Sequence, residues 1–299
     1  MCMRLSLALK QPKIMSLISN LQGFIDTYKH KSSDTKSVNM QLLCLVQVAV
    51  PIVSGVAFVI LFVNDNEDLK AVFHSHFSFG SKSNKCTEII ANIFNIYYVF
   101  YLYITPSLCM TLLFFMYETY QSSFKRMLIE TCHLLSTDLS FKNLSDATQM
   151  ILRSTKIHKE IENVFSLCTF LSYILVFVNF LHVVTLNVSE VICPYIKFRI
   201  MSSAVIFLWT ISNFVRLTLI GTKIIDVCDT WKLLQKTIVK ACTQAEDKSI
   251  DKLTHLLLFL EVTRIDLAFT GWSMFRLDRR LLLTMSEAII SFSVLIVTL

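Results

Sequence analysis

The chain has 299 residues, of which 54% are apolar and only 17% are charged, whereas globular chains contain about 25% charged residues. It carries 28 Lys and Arg against 22 Asp and Glu, a formal net charge of +6, and has 23 Phe but only 5 Gly and 4 Pro. These figures exclude a disordered tail, a nucleic-acid-binding module and a disulfide-rich scaffold. We predict an all-α, polytopic helical membrane protein whose basic residues set its topology.

Long apolar stretches predict the membrane spans. A helix needs about 20 apolar residues to cross the hydrocarbon core of a bilayer. The apolar stretch at residues 89–117 is long enough to tilt in the membrane, and Pro106 predicts a kink in it. We predict five transmembrane helices, at residues 40–63, 89–117, 164–188, 200–221 and 281–299.

Two further stretches have amphipathic patterns. Residues 253–269 are apolar on average but contain Glu261, Arg264 and Asp266. Inserting such charges near the centre of a bilayer costs about 2.5–3.5 kcal/mol each, so we predict an amphipathic helix outside the membrane. Residues 14–28 show a second helical stripe. Its apolar members are Ile14, Leu17, Ile18, Leu21, Phe24, Ile25 and Tyr28.

The basic residues are distributed unevenly among the segments between the spans. Segments 1–39, 118–163 and 222–280 together carry 22 Lys and Arg, while segments 64–88 and 189–199 carry 5. Positively charged loops stay on the cytoplasmic side, which predicts a cytoplasmic N-terminus and, with an odd number of spans, an extracellular C-terminus. The predicted parts are a cytoplasmic segment 1–39 with an amphipathic helix, four spans within 40–221 with the long inner loop 118–163, a cytoplasmic helical segment 222–280, and the last span 281–299.

The C-terminal sequence contains the most specific pattern in the chain. Residues 271–299 read GWSMFRLDRRLLLTMSEAIISFSVLIVTL. This resembles the C-terminal signature of insect gustatory receptors, the seven-span chemoreceptors related to insect odorant receptors. In that family a Phe, an aliphatic residue, Asn or Asp, and a Leu pair lead into the last span. The matching residues here are Phe275, Leu277, Asp278, Leu281 and Leu282.

The end of the last span departs from the family pattern. Ser291 and Phe292 stand where the family has Thr-Tyr, and Thr298 and Leu299 stand where it has Gln-Phe. The Tyr hydroxyl and the Gln amide are therefore absent here. The family has seven spans, and the five predicted here resemble spans three to seven. We therefore expect the first two spans to be missing, as in a truncated gene product or an incomplete gene model.

The resemblance implies a taste receptor in the plasma membrane. Family members are similar in forming ligand-gated cation channels of four subunits, so a homo- or hetero-tetramer with other gustatory receptor subunits is implied. The last span would line the pore, the cytoplasmic helical segment would make most subunit contacts, and a small-molecule tastant would bind an outward-facing pocket. Membrane lipid is the implied surrounding, with no enzymatic activity, cofactor, metal or nucleic-acid partner.

The last span has a face with the composition of a pore lining. Ser291, Leu295 and Thr298 share one helical face. A pore requires small or hydroxylated groups together with an apolar constriction. Glu287 lies about two turns into the span, where a ring of four carboxylates would attract cations. The alternatives are that the face packs on a neighbouring helix and that Glu287 pairs with Arg279 or Arg280.

Polar and aromatic residues in the spans are the candidates for the ligand pocket, because polar groups inside a membrane usually face the interior of a helix bundle. Interhelical hydrogen bonding is the alternative for each of them. The candidates are Asn92, Asn95, Tyr98, Asn179, His182 and Trp209. On the predicted outer side, Cys86 and Cys193 are the only cysteines and offer one possible disulfide.

Other functions remain open at this point. A membrane-embedded transferase would need clustered His or Asp residues, and the pair His74 and His76 has no such partner cluster. Many secondary transporters contain inverted repeats, and no internal repeat is visible. A non-functional truncated chemoreceptor shares every sequence feature with a functional one.

Overall fold

The structure is a computed structural model that describes residues 2–28, 49, 105–188, 196–244 and 250–298. Nearly all of these residues are α-helical. The elements are α1 (Cys2–Leu9), α2 (Gln11–Tyr28), α3 (Thr105–Thr137), α4 (Phe141–Val188), α5 (Ile196–Gln244), α6 (Ile250–Val262), strands β1 (Thr270–Gly271) and β2 (Phe275–Arg276), and α7 (Arg279–Thr298).

Several predictions concern residues that the structure does not describe. Outside the described residues lie the span at 40–63 apart from residue 49, the part of the span 89–117 that precedes Thr105, the pocket candidates Asn92, Asn95 and Tyr98, and the cysteines Cys86 and Cys193.

The packing of the chain divides it into two units. Residues 1–32 and 113–299 form the first unit, and residues 33–112 form the second. In the second unit, the described residues are residue 49 and the first two turns of α3. There the hydroxyl of Thr111 donates a hydrogen bond to the carbonyl of Ser107 at 2.8 Å. The other described residues belong to the first unit.

The long helices extend well past the predicted spans. Helix α4 has 48 residues, which at 1.5 Å per residue gives about 72 Å, more than twice the roughly 30 Å of a bilayer core. By length and composition, two of the described helices can cross a membrane. They are α4 (Phe141–Val188) and the part Ser203–Lys240 of α5. The predicted inner loop 118–163 is therefore built from the ends of α3 and α4, joined by residues 138–140.

The N-terminal helices pack against α4. Helix α2 buries Leu17, Leu21 and Phe24, while Ile18, on the same predicted stripe, is 41% exposed. The ammonium group of Lys10 donates a hydrogen bond to the carbonyl of Asn163 on α4 at 2.5 Å. Burying a large apolar side chain contributes about 1.5–3 kcal/mol, so the three buried residues dominate this contact.

The predicted helix over residues 253–269 is wrong in its second half. Helix α6 ends at Val262, and residues 264–269 are not helical. At the end of α6 the hydroxyl of Thr263 donates to the carbonyl of Phe259 at 2.7 Å. The carbonyl of Thr263 accepts a hydrogen bond from Nε1 of Trp231 at 3.0 Å, so a tertiary contact satisfies it.

The segment after α6 follows a period of two instead of a helical period. Ile265, Leu267 and Phe269 are buried, whereas Arg264, which precedes them, and Asp266, which lies between the first two, are exposed. Alternation of this kind is typical of an extended chain with one side against a core. The charged residues of this stretch thus face away from the protein while three apolar side chains point inward.

A glycine on α5 allows the chain that precedes α7 to lie directly against that helix. A Cβ atom at Gly221 would overlap the Cβ of Leu277. Leu277 has no exposed surface. Because contacts between carbon atoms below about 3.5 Å are repulsive, this approach requires a residue without a side chain.

We predict that Gly221→Ala lowers the free energy of unfolding by about 1–3 kcal/mol, because the added methyl group displaces Leu277. Thermal melting of the purified chain in detergent measures this. Gly23→Ala is the matched control, since no atom lies within 4 Å of the Cβ that it adds on α2. Alanine favours a helix by about 0.5–1 kcal/mol, so the control should melt at or above the wild-type temperature. Equal shifts in the two variants would contradict the close approach.

Candidate functional site

The residues of the C-terminal signature converge at a short hairpin before α7. Strands β1 and β2 are antiparallel, with Thr270 opposite Arg276 and Gly271 opposite Phe275. The N–H of Met274 donates to the carbonyl of Gly271 at 2.9 Å and closes the turn. Leu277 and Asp278 follow β2, and α7 begins at Arg279. We call residues 270–276 the hairpin.

The turn of the hairpin has a strained backbone. Trp272 and Ser273 have φ angles of 48° and 59°, so both are left-handed, as the two central residues of a type I′ turn are. That turn favours Asn-Gly, and a left-handed conformation costs about 1–2 kcal/mol for each other residue. Contacts from the rest of the protein must therefore hold the turn in place.

Helix α4 supplies two of these contacts. The carboxylate of Glu162 accepts hydrogen bonds from the N–H of Thr270, 3.1 Å from both oxygens, and from the hydroxyl of Thr270 at 2.5 Å. One helical turn further along, the carbonyl of Ser166 accepts a hydrogen bond from the N–H of Trp272 at 3.0 Å. Helix α4 therefore binds the hairpin both at its first residue and within its turn.

Burial raises the pKa of Glu162, which precedes the predicted span 164–188, to about 7. Loss of water around the carboxylate is the main cause, and the two hydrogen bonds from Thr270 act in the opposite direction. Near neutral pH this carboxyl group is therefore present in both protonation states.

The aromatic residue of β2 packs between the hairpin and α4. A Cβ at Gly271 would overlap the ring of Phe275. The centroid of that ring is 5.2 Å from the centroid of the Tyr173 ring, at an interplanar angle of 78°. The ring of Phe170 on α4 contacts two aromatic residues of the hairpin, with its centroid 5.6 Å from that of Trp272 and 6.2 Å from that of Phe275.

The last residues of the signature begin α7. The N–H of Leu277 donates to the carbonyl of Phe269 at 2.8 Å. A side-chain oxygen of Asp278 accepts a hydrogen bond from the N–H of Leu281 at 3.0 Å, which is the geometry of a helix N-cap. Leu281 and Leu282 are half-buried. The signature therefore anchors the hairpin through Phe275 and Leu277 and starts the last helix at Asp278.

An aromatic cluster holds the chain that enters the hairpin. Phe269 is fully buried, and its ring stacks on Tyr117 with centroids 3.8 Å apart and planes 7° apart. The ring of His158 lies 4.9 Å from that of Phe269, and its Nε2 lies 3.2 Å from the carbonyl oxygen of Ala268. Burial lowers the pKa of His158 to about 4, so the ring is neutral at physiological pH and donates this bond through Nε2.

Helix α7 has two different faces. Ser291, Leu295 and Thr298 are exposed on one face, together with Glu287. On the other side, the ring of Phe292 lies 5.6 Å from that of Phe177 on α4. Half-buried residues line this second side: Leu281, Leu282, Met285, Ala288, Ile289, Ser293 and Ile296.

Among the described residues, Glu287 forms no ion pair. Arg279, one of its predicted partners, lies 4.0 Å from a carboxylate oxygen of Asp226 on α5. The predicted pairing of Glu287 with the start of its own helix is therefore not made with Arg279.

The predicted pocket residues that the structure describes differ in burial. Trp209 is buried, Asn179 is half-buried and His182 is exposed, and no hydrogen bond joins them in the described part of the chain. Other polar groups are buried between the long helices. The hydroxyl oxygens of Tyr173 and Thr218 are 2.7 Å apart, and the side-chain amide of Asn213 donates to the carbonyl of Trp209 at 2.8 Å.

Four important residues of this site were missed by reasoning from the sequence. They are Glu162, Thr270, Gly221 and Gly271. The glycines were the available signal, because the whole chain has 5 and a scarce Gly inside an apolar run indicates a close approach of two backbones. Nothing local distinguishes Glu162 from other carboxylates near the ends of the spans.

The comparison with solved structures identifies the fold. The insect olfactory receptor OR5 from Machilis hrabei is similar to this chain with a TM-score of 0.70 and 12% identity, over 98% of this chain and 76% of the receptor. The structure of the same receptor in complex with eugenol matches with a TM-score of 0.47 and 12% identity, over 97% of this chain and 69% of the receptor. No protein-family model and no curated protein matches the sequence. The chain therefore shares its fold with an insect olfactory receptor.

We predict that Ser273→Gly raises the melting temperature of the purified chain, because glycine adopts a left-handed backbone without the clash of a Cβ. Ser286→Gly is the matched control. Ser286 lies within α7 and is exposed, and glycine in a helix interior is less stable than serine, so this variant should melt at a lower temperature. Shifts of the same sign would show that the turn is not strained.

Proposed function

We propose that the chain is a subunit of a ligand-gated cation channel of the insect chemoreceptor kind, and that it acts as a gustatory receptor in the plasma membrane. The observation that carries this proposal is the TM-score of 0.70 with an olfactory receptor over 98% of the chain. The C-terminal signature favours the gustatory branch of these receptors. The function is that of a receptor and channel, with no enzymatic reaction.

The two faces of α7 support its assignment as the pore helix. Leu295 supplies an apolar constriction, and the hydroxyl groups and Glu287 supply the polar lining that cations need. Beside the polar stripe runs an exposed apolar stripe, suited to contact with a neighbouring subunit of a tetramer. The polar stripe consists of Thr284, Glu287, Ser291 and Thr298, and the apolar stripe of Leu283, Ile290 and Val294.

Helix α4 links the proposed ligand pocket to the pore. It carries the pocket candidates Asn179 and His182 near one end, and Glu162 and Ser166, which hold the hairpin, about four to five turns earlier. Because the helix is continuous, a small-molecule tastant that displaces its outer half also displaces the hairpin. Since Leu277 and Asp278 are the two residues between β2 and α7, that displacement reaches the inner end of the pore helix.

In the proposed receptor the N-terminus is cytoplasmic and the C-terminus is extracellular. We expect an epitope tag at the C-terminus to be stained on intact cells and a tag at the N-terminus only after permeabilisation. In the same cells, one of a panel of sucrose, fructose, caffeine and quinine should evoke a cation current, alone or with a second gustatory receptor. A cytoplasmic C-terminal tag would overturn the channel proposal, because α7 would then enter the membrane from the wrong side.

The pore face can be tested with two serines that lie two residues apart on α7. Ser291 is on the exposed polar stripe, and Ser293, about 200° around the helix, is half-buried. We expect Ser291→Cys to make the current sensitive to block by a charged, thiol-reactive methanethiosulfonate. Ser293→Cys should leave the current unblocked. Block of the second variant alone would assign the pore to the opposite face.

A further inference from the structure

One carboxyl group connects α4 to the strand that leads into α7. Glu162 binds both the N–H and the hydroxyl of Thr270, although the two residues are 108 positions apart in the chain. Thr270 opens the hairpin, and β2 and Leu277 follow directly into α7. Thr270 is half-buried, and Leu277 is fully buried against α5. A change at Glu162 therefore acts on the inner end of α7 through a short and well-packed path.

We propose that Glu162 is a positioning residue for the pore helix, which it holds in the resting position through Thr270, and that acidification of the cytoplasm tightens this hold. We call the Glu162 carboxyl group and the N–H and hydroxyl of Thr270 the clamp. The proposal rests on the proposed function, because it takes α7 as the pore helix and the hairpin as cytoplasmic.

The hydrogen-bonding capacity of a carboxyl group explains why the protonated clamp holds. When protonated, Glu162 still accepts a hydrogen bond from the N–H of Thr270 through one oxygen and donates one to its hydroxyl through the other. When ionised, it accepts both bonds but places a negative charge where little water reaches it. Opening of the clamp exposes that charge to solvent, so ionisation favours the open form.

The direction of the pH effect follows from linkage. Burial raises the pKa of Glu162 from its ordinary value of 4.5 to about 7 in the clamp. The closed clamp therefore binds a proton more tightly than the open one, and acidification below about pH 7 stabilises the closed form. One pH unit in this range changes the ratio of open to closed clamp by up to about tenfold. Above pH 7 the bound proton no longer stabilises the closed clamp.

No charged neighbour accounts for the altered pKa of Glu162, and Lys159, three residues earlier on α4, is exposed. The causes of that altered pKa are burial and the bonds from Thr270. His158, one turn earlier on α4, has a pKa of about 4 and stays neutral between pH 6 and pH 8. Charged and titratable groups on the surrounding elements have other partners. Tyr117 is bonded to Thr169, Glu118 is paired with Lys223, Glu160 is bonded to Asn20, Lys10 is bonded to Asn163, and Asp266 is paired with Arg276.

Hydrogen exchange of the complete chain in lipid nanodiscs tests the clamp without any ligand. The readout is the protection of the amides at residues 270–277, corrected for the intrinsic effect of pH on exchange. We expect the open fraction of the wild type to rise about tenfold from pH 6 to pH 8. A flat profile overturns the clamp, and this measurement requires no variant to fold.

Three variants assign the effect to Glu162. Glu162→Gln is neutral at every pH and retains an acceptor and a donor, so we expect strong protection and no pH dependence. Glu162→Ala should exchange rapidly at both pH values. Glu160→Gln removes the same charge from the same helix, away from the hairpin, and should behave as the wild type does. Loss of the pH dependence in Glu160→Gln would show that Glu162 is not the group that binds the proton.

Current recordings with controlled cytoplasmic pH connect the clamp to the channel. We expect the evoked current of the wild type to fall as the cytoplasm is acidified from pH 8 to pH 6, and that of Glu162→Gln to be low and independent of pH. If hydrogen exchange follows the expected pattern but no current appears, the clamp stands and the channel function fails. If a current appears and neither it nor the exchange depends on pH, the function stands and the clamp fails.

Discussion

The stacking of Phe269 on Tyr117 is the contact on which the arrangement of the last helix depends. The centroids of the two rings are 3.8 Å apart, and Phe269 has no exposed surface. The buried ring of Phe269 therefore fixes the point at which the chain after α6 enters the protein. The carbonyl of Phe269 then accepts the N–H of Leu277, which closes the path from the end of α6 to the start of α7. Every later feature of the hairpin is built between these two residues.

The hairpin between Phe269 and Leu277 has a strained turn. The turn at Trp272 and Ser273 is in a left-handed conformation that neither residue favours, and it is retained because α4 binds the backbone at Thr270 and at Trp272. An element of this kind is held by its surroundings more than by its own sequence. It is therefore suited to transmit small displacements of α4 to α7, which is the role that it has in the proposed channel.

Much of the helical part of the fold follows from local composition. Long apolar runs predicted helices where α4, α5 and α7 are found, since a helix satisfies its own backbone hydrogen bonds and needs no distant partner. Asp278 was selected by its resemblance to a family pattern, and its N-cap bond to Leu281 is also local. The prediction failed at residues 264–269, where Leu267 was assigned to an amphipathic helix but also fits an alternating pattern. Packing of Phe269 and the bond from Trp231 to Thr263 decided between them.

The sequence by itself determined that the chain is helical and apolar and that α7 has a polar stripe, because these properties depend on neighbours within one or two helical turns. The resemblance of the residues around the start of α7 to a chemoreceptor signature is local in the same way. Only the tertiary structure decided that Glu162 meets Thr270 across 108 positions and that Leu277 fills the space left by Gly221. The energies that choose such partners come from desolvation and close packing between distant segments. No local pattern encodes them, since the same residues in isolation would be an ordinary carboxylate, a threonine and a helix glycine.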